Sequence, residues 1–155
     1  MPTTVTNSDT DRLAALVQAK LKIVEMLARL AQRQLALAEQ GESADLLKLL
    51  AAKQTVLGQL NQVERQLDPF RAQDPDARVW RSAANRQRCQ RDAARCDELL
   101  AETMHVERQG EAAMLRRRDQ AASALASASA AGEAQAAYSG PASLPSVAIH
   151  LHCEG

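Results

Sequence analysis

Leu37-Ala38-Glu39-Gln40-Gly41-Glu42-Ser43-Ala44-Asp45-Leu46 is the stretch that decides the fold. Gly41 follows a run without proline or glycine that reaches back to Ser8. Glycine ends a helix there because it takes the left-handed conformation without a Cβ penalty. Ser43 then suits an N-cap, and Asp45 suits the first turn of a second helix, where a negative charge complements the dipole. Two long helices joined by so short a turn must pack as an antiparallel hairpin.

Upstream, Ser8 followed by Asp11 is a capping-box signal for the first helix. Leu13, Leu16, Ile23, Leu27, Leu30 and Leu37 keep alternating three and four spacings, with Lys20 and Gln34 in the two polar slots. Val17, Leu21, Val24, Ala28, Ala31, Leu35 and Ala38 form a second seam beside them. A face this broad predicts that the helix touches two partners. Downstream, Leu46, Leu49, Leu50, Val56, Leu57, Leu60, Val63 and Leu67 mark the second helix, with Lys53 in its seam.

Asp68-Pro69-Phe70-Arg71-Ala72-Gln73-Asp74-Pro75 interrupts the pattern twice, and its final pair reads as N-cap and first position of a third helix. A helix from there to about Ala137 would reach on the order of 90 Å, against about 35 Å for the second helix, so the third must bend or overhang. Its first half offers Val79, Trp80, Ala83, Cys89, Ala93, Cys96, Leu99, Leu100 and Val106 to a seam. Beyond Gly110 the large residues thin to Met114, Leu115 and Leu125 among Ala, Ser and Arg, a mix that favours helix but buries little. The organisation expected is therefore a disordered 1–7, a bundle over 8–109, an overhanging and partly ordered helix end over 110–138, and a flexible tail over 139–155. In fold class this is all-α: a helical hairpin plus a long third helix. Leu27, Leu30, Leu50, Leu57, Leu60 and Leu100 are expected in one buried seam between the three helices.

Composition agrees with helices. The chain of 155 residues is 46% apolar but only 2% aromatic, so its apolar content is mostly Leu and Ala, whereas sheets favour β-branched and aromatic residues. Nineteen basic and nineteen acidic residues cancel, which removes the global field that non-specific nucleic-acid or membrane binding relies on. No signal-like leader and no membrane-length apolar window is present, so the expected location is the cytoplasm. Cys89 and Cys96, seven apart, read as small seam residues in the absence of any CxxC pair.

No convergent set of catalytic groups is visible, and the reading is of a binding protein without enzymatic activity or cofactor. His150, His152 and Cys153 have the donor atoms for a soft metal but no supporting shell; alternation of Val147, Ile149 and Leu151 suggests a short docking strand instead. Arg78, Arg81, Arg86, Arg88, Arg91 and Arg95 make the start of the third helix basic, and Asp97, Glu98, Glu102, Glu107 and Glu111 make the next stretch acidic. With Trp80 the one aromatic available for stacking among the arginines, ion pairs and solvated faces are the expected use, not nucleic acid. Trp80 and Phe70 are expected as anchors at the open end of the bundle.

Leu46-Leu47-Lys48-Leu49-Leu50-Ala51-Ala52-Lys53-Gln54-Thr55-Val56-Leu57-Gly58-Gln59-Leu60 resembles the second-helix pattern of the small flagellar export chaperones of the FlgN type, in which leucines flank a lysine and run into a leucine-rich end. The arrangement of a long first helix, a shorter second, a broken linker and a long third is similar too, over roughly Leu13 to Tyr138. The third helix departs from the family in being Arg-rich early and Ala-rich late. The resemblance implies a cytoplasmic chaperone in type III protein export during flagellum assembly. Its cargo would be the C-terminal helices of hook-filament junction proteins, delivered to the export apparatus. On that reading Met114, Leu115, Ala121, Leu125 and Ala128 are the candidate cargo-binding residues, because an under-packed helix gains its missing contacts when a cargo helix supplies them. The alternative is a structural coiled-coil protein that self-associates, as a homodimer, through the third helix.

Overall fold

The computed structural model describes residues 6–139, and these form α1 (Asn7–Gln40), α2 (Ser43–Arg71) and α3 (Ala83–Ser139), with a 3-10 turn at Pro75–Ala77. No strand occurs among the described residues, so the chain is all-α. It divides into two units, Met1–Met114 and Leu115–Gly155. The first is a three-helix bundle of α1, α2 and α3 as far as Met114. The described part of the second is helix throughout, from Leu115 to Ser139.

The hairpin forms at the expected glycine. Gly41 has φ 75°, its amide donates to the Ala38 carbonyl at 3.3 Å, and the Glu42 amide donates to Leu37 at 3.1 Å. This pair of bonds satisfies the last carbonyls of α1 and turns the chain at once into α2. The start of α1 lies two residues earlier than the Ser8 signal suggests. Thr6 is the cap, and Asp9 accepts from its amide at 3.0 Å and its hydroxyl at 3.1 Å. The ordered helix thus includes Asn7 within the expected tail. Ser43 stands inside α2, with Glu42 as the flanking residue.

Cross-helix contacts fix the topology. Lys20 pairs with Glu64, and Lys53 reaches Gln34, so α1 and α2 run antiparallel. Thr10 meets the Val79 carbonyl and the Cys96 thiol lies 4.0 Å from the Val17 carbonyl, so the first part of α3 returns parallel to α1. The buried positions are spaced by three, four or sums of these on each helix, apart from the adjacent Leu37 and Ala38. They are Thr10, Leu13, Val17, Val24, Leu27, Ala31, Gln34, Leu37 and Ala38 on α1, Leu49, Val56, Leu67 and Phe70 on α2, and Cys89, Cys96, Leu99, Thr103, Gly110 and Ala113 on α3.

The expected seam of six leucines needs correction. Leu27 is buried, whereas Leu30, Leu50, Leu57, Leu60 and Leu100 are half-buried. The least exposed residues are Val24, Thr10, Ala31 and Cys96, at 0%, 1%, 1% and 1% exposure. The interior is filled at native density by other leucines, Leu13, Leu37, Leu49, Leu67 and Leu99 among them, together with small and β-branched residues, while the five half-buried leucines flank it. Leu50, Leu57 and Leu100 are each one residue past a buried neighbour, about 100° around the helix.

The linker also departs from expectation. α2 continues through Pro69 to Arg71, and Asp74-Pro75 caps the 3-10 turn, with the Asp74 carboxylate accepting from the Asp76 amide at 3.0 Å. α3 begins only at Ala83, where the Ser82 hydroxyl accepts from the Asn85 amide at 3.1 Å. Two tertiary bonds hold the intervening chain extended. Arg78 donates to the Phe70 carbonyl at 2.7 Å, and the Thr10 hydroxyl, 1% exposed, lies 2.7 Å from the Val79 carbonyl. Phe70 is buried with Leu13, Val17, Leu67 and Cys89, and the half-buried Trp80 packs against this cluster, while Val79 is exposed.

Candidate functional site

Every described residue from Leu115 to Ser139 is exposed, although all of them are helical. Alanine dominates the segment and supplies the helix propensity, but alanine offers little apolar area to another helix. The bundle ends later than the expected Gly110 boundary, because Gly110 and Ala113 are both buried. Gly110 faces α1 there: a Cβ built on it would lie 3.5 Å from the Gln34 side-chain nitrogen, an ordinary van der Waals contact.

Of the five candidate cargo residues, Met114 is half-buried and closes the first unit, while Leu115, Ala121, Leu125 and Ala128 are exposed in the second. Leu115 and Leu125 are 50% and 73% exposed, and Tyr138, which was not among the candidates, is 91% exposed. Ala121, Leu125 and Ala128 follow a four-then-three spacing and share one face; Leu115 lies well around the helix from Leu125. The geometry therefore offers a narrow stripe of small residues centred on Leu125, beginning beside three consecutive arginines, Arg116 to Arg118.

Several charged residues of α3 and of the linker before it form ion pairs, and many of the others are exposed. Arg81 pairs with Asp11 at 2.6 Å, and Arg95 lies 3.3 Å from Glu98 and 3.9 Å from Glu102. Between α1 and α2, Glu64 bonds Lys20 at 2.7 Å and also Arg71, which reaches Asp68. Burial pushes the Glu64 carboxyl up, but hydrogen bonds from Lys20 and Arg71 outweigh it and leave the group below the usual carboxylate range. Burial raises the Cys89 and Cys96 thiols, which places them as packed seam residues with little thiolate character.

One polar cluster joins all three helices inside the bundle. The Lys53 ammonium lies 2.6 Å from Glu107 and 3.2 Å from the Gln34 side-chain oxygen Oε1, and Gln34 is 2% exposed. The two charged side chains keep 18% and 21% exposure, so each depends on the other for part of its solvation. Replacing Lys53 or Glu107 singly by Ala should cost about 1–3 kcal/mol. The double variant should cost less than the sum, with a coupling of about 1 kcal/mol in urea denaturation. Strict additivity would show that the pair contributes nothing as a pair. The sequence marked Lys53 and Gln34 as polar seam positions but gave no sign that Glu107 completes them.

Among the described residues no group of three His, Cys, Asp or Glu side chains is placed to hold a metal ion. His150, His152 and Cys153 and the alternating Val147, Ile149 and Leu151 lie outside the described residues. No described helix is long and apolar enough to cross a membrane. No family model matches the chain, and neither a curated protein nor a solved structure matches it.

Proposed function

We propose that this protein is a helical binding protein that presents the Leu115–Ser139 segment to a partner helix, and that it serves as a cytoplasmic export chaperone for flagellar hook-filament junction proteins. The observation that carries the reading is the helical segment in which every residue is exposed. A helix with strong intrinsic propensity and few large apolar residues stays soluble when free. It can still gain burial when an amphipathic helix lies along the Leu125 face. The all-α bundle and the leucine pattern of α2 support the chaperone assignment. Delivery to the export apparatus follows from the family resemblance alone.

The test is calorimetric titration of the full chain with the C-terminal helical segment of a hook-filament junction protein. Leu115→Asp combined with Leu125→Asp should weaken binding about tenfold or more, since a charge in an apolar contact loses both burial and solvation. Both positions are exposed in the free protein, so the melting of the bundle should hardly change. Undiminished binding by this variant would remove the segment as the cargo site. If the segment instead mediates dimerisation, sedimentation will show a concentration-dependent dimer that the same substitutions dissolve.

A further inference from the structure

A cavity of about 230 Å³ opens into the first unit where the linker meets the start of α3. Its apolar lining includes Leu13, Val17, Pro75 and Trp80, and its polar lining is Arg78, Arg86 and Gln90. Leu13 and Val17 belong to the buried core, so the floor is as apolar as the interior itself. At about 30 Å³ per water the space exceeds what one or two bridging waters fill, and such a floor gives them few partners.

The two cations lack a matched counter-charge. Arg78 donates to the Phe70 carbonyl, its Nε is enclosed without any hydrogen-bond partner, and no carboxylate pairs with it among the described residues. Arg86 has only Asp76, at 3.8 Å, and the Asp76 side chain is 89% exposed, so that contact is long and solvent-screened. Arg86 also sits in the first turn of α3, where the helix dipole adds to the positive potential. A partly buried guanidinium with neither full hydration nor a carboxylate is a costly arrangement that an anion would relieve.

We propose that the cavity bounded by Arg78, Arg86 and Trp80 binds a carboxylate carried on a short apolar group, with the carboxylate on the guanidinium groups and the apolar body against Trp80, Leu13 and Val17. Bare phosphate or sulfate would leave the apolar floor uncovered, whereas a fully apolar ligand would leave the arginines unanswered. The same chemistry is offered by the C-terminal residue of a polypeptide and by a free branched short-chain acid. The site stands on its own geometry and does not depend on the cargo reading of the Leu115–Ser139 segment.

Trp80 is the single tryptophan of the chain and lines this cavity, so its fluorescence responds to a ligand there, and Arg86, which does not line the neighbouring pocket that Trp80 also borders, assigns the response to this cavity. The full chain is titrated with N-acetylleucine, which mimics a chain terminus, with 4-methylpentanoate, and with the uncharged N-acetylleucine amide. The two acids should change the emission saturably and the amide should not, and the tighter acid identifies the source. Arg86→Gln should weaken the response about tenfold or more, as expected for loss of a charge-assisted bond, and should leave the thermal melt in place because the side chain is 47% exposed. Arg78→Gln is the companion variant; should it fail to fold through loss of the Phe70 bond, Arg86→Gln still decides. No saturable response to either acid, an equal response to the amide, or unchanged binding by Arg86→Gln would overturn the proposal.

Discussion

Val24→Asp abolishes folding of the bundle. Val24 has no exposed surface, and it lies midway along α1 between the buried Val17 and Ala31. An aspartate there must either bury an unpaired carboxylate or take up a proton, and either costs several kcal/mol beyond the lost packing of the valine. The described cations that approach the interior from α1 and α2, Lys20 and Lys53, already hold Glu64 and Glu107. Domains of this size have a total stability of about 5–15 kcal/mol, so the substitution consumes most or all of it. Far-UV circular dichroism should show loss of the helical signal, and a retained cooperative melt would mean that α1 turns a different face inward.

Phe70→Ala should cost about 3–5 kcal/mol, the upper range for core truncations. Phe70 closes the end of the bundle remote from the Gly41 turn, where it is buried with Leu13, Val17, Leu67 and Cys89. Two features leave the site little freedom to collapse around the missing ring. Its carbonyl accepts from Arg78, which anchors the linker, and Trp80 already packs against the same cluster. Urea denaturation should show a large drop in midpoint. Leu57→Ala, at a half-buried flanking position, should cost clearly less. Equal losses at the two sites would place Leu57 in the core after all.

The parts of this fold that were legible in the sequence are those set by local chemistry. Gly41 was readable because only a residue free of the Cβ penalty ends a helix so abruptly, and Phe70 and Trp80 were readable as anchors because large rings must be buried somewhere. The phase of the seam was not. Leu49 and Leu50, Val56 and Leu57, and Leu99 and Leu100 are adjacent apolar pairs, and hydropathy alone cannot say which member faces two neighbouring helices. Thr10, Thr103, Gly110 and Ala113 were missed for the opposite reason: they are buried because they are small, which a search for leucines does not detect. The late start of α3 was hidden because Asp74-Pro75 caps a 3-10 turn as well as an α-helix, and the choice is made by the remote bonds from Thr10 and Arg78. The exposed segment was anticipated from its lack of large residues. Its boundary falls five residues later than expected, at Leu115 and not at 110, because Gly110 reads as a breaker when it is buried within the helix.

Amide hydrogen exchange across α3 tests the central claim, that Leu115–Ser139 is a binding helix awaiting a partner. In the free protein at low concentration, exchange should be slow at Cys96, Leu99 and Thr103, which are buried, and fast from Leu115 to Ser139, where no tertiary burial opposes opening. Addition of a junction-protein C-terminal helix should slow the second group and leave the first unchanged. Protection of Leu115–Ser139 in a demonstrated monomer before any partner is added, or a partner that protects only the bundle, would contradict the account.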